Sequence, residues 1–484
     1  MTTVRELDCA CPQHCVWLYC VLQQWAGTTC STRKQLSHTL PTQLRSRPVN
    51  TQGPARSPHT GGHPSDKALK SFPVRHLEDS RAVVRMGSNS SVHFCGIPKG
   101  KGPHAVGCTD LMSDHTIQGS FLRLFYPCVD SEEYADAVWI PRKEYYSGLA
   151  DTLKLNRTLI DYIFSHYFGS VKCPAKLNAP FKPGERYPLL IFSHGLGAFR
   201  TLYSAVCIGL ASQGFIVAAV EHRDESASAT FYLRERSSTD ACEEECDPLE
   251  EVWIYTKAPK PGSDEFPLRF EQVQKRADEC IRALDLVLDI NAGKPVTNAL
   301  PSNFDWLLLK DSIDLQRVAA MGHSFGAATA IKALGRDSRF RCGVALDSWM
   351  FSLRDEIFTT IHQPVLFVNS EKFQWVENVM LMKKMDSTSV ERKMITIKGS
   401  VHQSFPDFTF LTGYLIGKIF KLKGEIDPYV GMDIIINVTL AFLQRHLGLH
   451  KDFNQWDHLI DGEGEFVIPG TNLDLPPAQT ENSK

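Results

Sequence analysis

The stretch Gly322-His323-Ser324-Phe325-Gly326 constrains this chain more than any other. It follows the apolar run 318–321 and precedes Ala327, Ala328, Ala330, Ile331 and Ala333, which favour helix. Strand, sharp turn and helix start make up a nucleophile elbow of the G-x-S-x-G type. There the central serine takes a strained backbone conformation and its oxygen stands clear of the sheet. Both flanking residues are glycine because strand and helix pass so close. The bland alternative is an ordinary glycine-rich turn, which would not require a strand before it and a helix after it. A serine raised this way needs a base, an acid to orient that base, and donors for an oxyanion.

The rest of the chain has the rhythm such an elbow requires. The continuous apolar run 187–193 reads as a fully buried strand, and 215–222 as the next, with a helix at 203–213 between them. An amphipathic helix is expected over 269–290. Further strands are expected at 342–346, 364–368 and 394–397, and a closing helix at 428–447. Strand and helix alternate, which predicts an α/β fold with a mainly parallel central sheet and helices on both faces. Before these, 119–127 reads as a strand ending at Pro127, and 142–168 as one long helical region. The second part of that region is apolar, with Leu159, Ile160, Tyr162, Ile163, Phe164, Tyr167 and Phe168. It serves either core packing or an interfacial patch resting on a membrane or lipid particle. Residues 233–266 are acidic and rich in proline, and read as a solvated loop or a lid.

Residues 1–85 differ in kind. They lack periodicity and carry 11 Lys and Arg against 5 Asp and Glu. The expectation is a disordered leader or alternative N-terminal extension over 1–85, a catalytic domain over 86–468 and a flexible tail over 469–484. Met86-Gly87-Ser88-Asn89-Ser90-Ser91 matches the N-myristoylation pattern, which would act at Gly87 only if the chain began at Met86 or lost its leader. The whole chain carries a net charge of −3, which argues against a nucleic-acid partner. Its 14 cysteines have no zinc-like spacing and read as reduced thiols, so no metal and no cofactor is expected. No apolar run approaches the length of a membrane span.

Catalytic groups of parallel sheets stand at the carboxyl ends of strands. Ser324 ends one expected strand, Asp347 the next, and His402 follows the last strong one. The order Ser, Asp, His is that of the α/β-hydrolase fold. His402 would take the serine proton and return it to the leaving oxygen, and Asp347 would orient the imidazole. Rival candidates are His222 and Asp224, which precede the serine, His194 in the loop after 187–193, and His323 inside the elbow. The oxyanion would be held by the backbone N–H of Phe325 and of Leu196, the latter between Gly195 and Gly197.

Four segments together resemble a known family. They are Phe192-Ser-His-Gly-Leu-Gly-Ala-Phe-Arg-Thr-Leu-Tyr-Ser204, Val220-Glu-His-Arg-Asp224, the elbow, and Ala345-Leu-Asp347. They resemble the platelet-activating factor acetylhydrolases of α/β-hydrolase type, over about residues 86–464. The spacing of Ser324, Asp347 and His402 also fits that family's triad. The resemblance implies a calcium-independent serine hydrolase of phospholipase A2 type. It would cleave the sn-2 acetyl, or short or oxidised acyl, ester of platelet-activating factor and related phospholipids. No secretory signal is evident, so the intracellular type II enzyme is the nearer match. That implies a cytoplasmic protein with peripheral, reversible membrane contact and leaves the oligomeric state open. A general carboxylesterase and a non-catalytic binding protein of the same fold are the alternatives; the second would require a broken triad.

Overall fold

The computed structural model describes residues 96–236, 249–413, 417–418 and 420–476. The expected leader 1–85, Gly87 and residues 477–484 lie outside the described residues.

In chain order the elements are β1 (Ala105–Met112), β2 (Phe121–Cys128), β3 (Asp136–Val138), α1 (Glu144–Thr152), α2 (Arg157–Phe168), β4 (Lys172–Leu177), β5 (Tyr187–Ser193), α3 (Ser204–Ser212) and β6 (Ile216–Val220). Then come β7 (Ala229–Glu235), β8 (Leu249–Tyr255), α4 (Phe266–Asn291), β9 (Ile313–His323), α5 (Phe325–Leu334), β10 (Cys342–Leu346), β11 (Val365–Ser370) and α6 (Val376–Lys383). The chain closes with β12 (Arg392–Ile397), α7 (Phe408–Leu411), α8 (Pro428–Leu447), α9 (Asp457–Ile460) and β13 (Val467–Pro469).

Among the described residues eleven strands form one sheet, ordered β13-β12-β11-β10-β9-β5-β6-β2-β1-β4-β3. The run β12-β11-β10-β9-β5-β6 is parallel throughout. β2 pairs antiparallel with both β6 and β1. Every residue of β5, β6, β10 and β11 is buried, as continuous apolar strands in a sheet covered on both faces must be. Alternation deals these side chains to two cores. Leu190, Phe192, Val344, Leu346 and Val368 face α3 and α8. Leu189, Ile191, Ala345, Val365 and Phe367 face α4 and α5. This is the α/β arrangement expected from the sequence. Among the described residues no helix is long and apolar enough to cross a membrane.

Several local expectations are corrected. β2 does not stop at Pro127: that residue sits opposite Val106, and β2 runs on to Cys128. A proline is tolerated there because the pairing of β2 with β6 ends at Phe125, so Pro127 lies beyond that ladder. The region 142–168 is two helices. Asn156 is extended and its side chain accepts from the Leu159 N–H at 3.0 Å, which caps α2 and breaks the run. Within 233–266 the described residues form the ends of an antiparallel hairpin, β7 with β8, and the start of α4. Cross-strand Phe231 and Trp253 stack at 4.8 Å, Trp253 meets Tyr145 of α1 edge-on, and Arg142 forks onto Glu251 at 2.6 Å. Residues 237–248 lie outside the description.

The expected flexible tail from residue 469 also begins too early. Pro469 belongs to β13, which pairs with β12, and the Gly470 N–H donates to the Met394 carbonyl at 2.8 Å. The Asn472 side chain still donates to the Glu371 carbonyl at 3.1 Å. β1, β3, β4 and α6, for which the sequence carries no clean periodicity, complete the fold.

Candidate active site

β9 delivers Ser324 at φ 57° and ψ −119°, and α5 starts at the next residue. A non-glycine residue at positive φ is strained. The strain is held by neighbours: the Ser324 N–H donates to Leu346 O at 2.9 Å, and Ser324 O accepts from the Trp349 N–H at 3.2 Å. The crossing is tight. A Cβ on Gly322 would sit 2.2 Å from Gly326 O, and one on Gly326 would sit 2.1 Å from Ser193 O. Only glycine fits either place.

Ser324, Asp347 and His402 come together at the carboxyl edge of the sheet. The Ser324 hydroxyl lies 3.0 Å from His402 Nε2, and His402 Nδ1 lies 2.7 Å from Asp347 Oδ2. Asp347 is buried, with φ 46°. Its carboxylate also accepts from the Ser370 N–H and the Ser370 hydroxyl, each at 2.7 Å. With an acceptor at Nδ1, the imidazole carries its proton there and turns the Nε2 lone pair to the serine. The ring is held in place by Phe373, stacked at 3.7 Å between centroids, and by His323 at 4.4 Å.

The rival candidates are occupied elsewhere. His323 Nδ1 is bonded to the Tyr203 hydroxyl at 2.8 Å. His222 lies between the Ser193 hydroxyl and Glu279, each at 2.7 Å. Asp224 is paired with Arg276 and Ser226. His194 donates to the carbonyl of Gly195 at 2.8 Å. Burial drives the pKa values of His194, His222 and His323 well below the usual imidazole range, so these three rings are neutral. Among the described residues, His323, Asp347 and His402 have ligand-like spacing for a metal, but both nitrogens of His402 are already engaged by Asp347 and Ser324.

Leu196 lies in the turn after β5, and Phe325 is the first residue of α5. The amides around Leu196 are spoken for: Gly195 N–H donates to the Tyr203 hydroxyl at 3.1 Å, and Gly197 N–H to Ser226 O at 2.8 Å. Among the described residues, no protein acceptor takes the N–H of Leu196 or of Phe325. A Cβ on Gly195 would lie 3.5 Å from the Ser324 Cβ, which puts this turn beside the serine. Two such free amides beside a positioned nucleophile can bind an oxyanion. Sequence reading did not reach Phe373, Ser370 or Tyr203. Ser370 ends β11, Phe373 follows in the next turn and Tyr203 precedes α3, and these positions form no motif.

A family model described as "Platelet-activating factor acetylhydrolase, isoform II" matches residues 87–467. The chicken (Gallus gallus) platelet-activating factor acetylhydrolase is 56% identical over 401 residues, covering 83% of this chain and 95% of the relative. The dog (Canis lupus familiaris) protein of the same name is 52% identical over 406 residues, covering 83% and 89%. Among solved structures, a ferulic acid esterase from Streptomyces cinnamoneus aligns with TM-score 0.54 at 19% identity, over 78% of this chain and 99% of the esterase. That likeness shows the shared α/β-hydrolase fold. The chain belongs to the platelet-activating factor acetylhydrolase isoform II family.

Proposed function

We propose that this chain is a calcium-independent serine hydrolase of phospholipase A2 type. Its substrates are the sn-2 acetyl, or short or oxidised acyl, esters of platelet-activating factor and related phospholipids. The carrying observation is the continuous line from Asp347 through His402 to Ser324, ending beside two unpaired amides. In this reading the Ser324 hydroxyl attacks the ester carbonyl while its proton passes to His402 Nε2. Leu196 and Phe325 N–H hold the oxyanion. The C–O bond to the lysophospholipid breaks, and that oxygen takes the proton from His402. A water, deprotonated by His402, then attacks the acetyl-enzyme, and acetate leaves with Ser324 restored. A protein base does the proton work, so the step needs no metal-bound water.

The test is acetate release from platelet-activating factor in the presence of chelator, with and without Ser324→Ala. Activity that survives chelator and is lost in the variant is expected. An intact chain that cleaves only water-soluble esters would make it a general carboxylesterase. One that cleaves nothing and fails to react with a fluorophosphonate would make it a non-catalytic member.

The same reading includes a cytoplasmic location with reversible membrane contact, through a myristoyl group on Gly87 and an apolar face of α2. One myristoyl chain binds only marginally, with K of about 10⁴ M⁻¹, so a second contact is needed. Support comes from the exposure of Leu159 (52%), Tyr162 (74%) and Tyr167 (49%) on a helix whose Ile160 and Phe168 are buried. Phe164 instead packs on Tyr146 and Phe408 and belongs to the core. Leu159→Ser with Tyr162→Ser should weaken partitioning onto phospholipid vesicles while leaving hydrolysis of a soluble ester intact. Unchanged partitioning would end the membrane role of α2.

A further inference from the structure

We propose that Arg276 is a positioning residue of the oxyanion hole. It grips the carbonyls of His194 and Gly195 from inside the fold, and so aims the Leu196 N–H, while it rests against the ring of Phe325, which carries the second donor. This inference builds on the esterase reading.

Arg276 lies on the buried face of α4, and its side chain is fully shielded from solvent. Its Nη1 donates to His194 O at 2.6 Å, and its Nη2 lies 3.4 Å from Gly195 O. The same Gly195 oxygen accepts from His194 Nδ1 at 2.8 Å. This matters because Gly195 C=O and Leu196 N–H belong to one peptide unit. That unit is planar and trans, so its carbonyl and its N–H point in opposite directions. A carbonyl held from the protein side turns the N–H toward the open side, where it has no protein acceptor. His194 is neutral, with Nδ1 donating and Nε2 accepting from the His222 N–H at 3.3 Å, so it cannot reverse its role without losing both bonds.

The far end of the turn is tied to the same cluster. Gly197 N–H donates to the carbonyl of Ser226, and the Ser226 hydroxyl accepts from Arg276 Nε at 2.7 Å. Asp224, 3.3 Å from Nε, supplies the counter-charge. The guanidinium also lies 4.6 Å from the centroid of the Phe325 ring. One buried side chain thus touches both halves of the oxyanion hole without touching Ser324, Asp347 or His402. A buried ion pair serving stability alone would not need two consecutive carbonyls of a catalytic turn as its partners.

The experiment compares p-nitrophenyl acetate with its thiono analogue, in which sulfur replaces the carbonyl oxygen. Sulfur is a weak acceptor, so the ratio of kcat/KM for the two esters reads the work done by the oxyanion donors. The variants are Arg276→Lys, the charge-neutral pair Arg276→Met with Asp224→Asn, and Ser226→Ala, which keeps both charges of the ion pair and removes the hydroxyl that accepts from Arg276 Nε and donates to Asp224. Folding is checked by thermal denaturation. For folded Arg276 variants we expect kcat/KM on the oxygen ester to fall about 10- to 100-fold, somewhat less than complete loss of a donor. The oxygen-to-sulfur ratio should shrink by a similar factor. Ser226→Ala should move both in the same direction by less, and it carries the test if the Arg276 variants do not fold. Unchanged kcat/KM, or equal loss on both esters, would overturn the proposal. Wild-type hydrolysis that ignores Ser324→Ala would remove the esterase reading itself, whereas a Ser324-dependent activity with an unmoved ratio removes only the role of Arg276.

Discussion

Ser324 and Asp347 both sit at positive φ, although neither is glycine. Each such residue stores about 1–3 kcal/mol, which the surrounding structure must over-determine. For Asp347 that structure is visible: its N–H donates to Val368 O at 2.8 Å, and Ser370 holds its carboxylate from two sides. The carboxylate is therefore fixed before His402 arrives. Asp347→Asn keeps the shape but offers an amide where His402 needs an acceptor. It should lower kcat by about 10⁴-fold through the wrong imidazole tautomer. The melting temperature should move far less than activity, so acetate release and thermal denaturation on the same sample check the prediction. Retained kcat would take the orienting role away from Asp347. Ser324, Asp347 and His402 were legible one by one because each follows an apolar strand. Phe373, which stacks on His402, was not, because nothing in its local sequence marks it.

At the scale of elements, agreement is best where one short apolar run makes one strand. β5 and β10 have the extents expected, since a buried parallel strand needs only continuous apolar residues bounded by turn signals. The misreadings lie where a boundary depends on a cap or a partner: the break before α2, the hairpin of β7 and β8, and β13. Helix packing shows the same dependence. All nine residues of α3 are buried, and a Cβ on Gly209 would lie 2.3 Å from Ile436 Cδ1 of α8. Gly209→Ala should therefore destabilise the protein by about 1–3 kcal/mol despite the better helix propensity of alanine. Ile436→Val removes the clashing methyl, so the double variant should recover most of that loss. Urea titration of the four proteins reads the coupling, and additive losses would refute this account.

The molecule as a whole carries buried acids of two kinds. Burial pushes Glu279 up to about 7 and Asp224 up to about 6, despite nearby N–H groups and Arg276. For these raised groups, stability is fully present below their unfolded values of 4.5 and 3.8 and is lost as pH rises through about 6 to 7. Asp110 behaves the other way: burial opposes ionisation, but Arg123 and Arg200 outweigh it and hold it far below the usual carboxylate range. Its contribution is present above 3.8 and lost as pH falls below that. His194, His222 and His323, buried and neutral, pull the other way below 6.5, where the unfolded chain takes up protons that they do not. The clean readout is therefore a difference: the melting temperature of Glu279→Gln, relative to that of the intact chain, should gain as pH rises from about 5 to about 8. A difference that stays constant over that range would contradict this.

By itself the sequence determined the α/β class, the elbow and the chain order of Ser324, Asp347 and His402. Apolar period, glycine placement and strand ends are local properties, and local properties survive in a linear reading. The tertiary structure alone decided which amides are left unpaired, what lies against the imidazole of His402, and that Arg276 of α4 sits beneath the turn carrying Leu196. Those facts rest on contacts between residues up to 82 positions apart, as from Arg276 to His194. Such contacts exist only once the sheet has brought its strand ends to one edge.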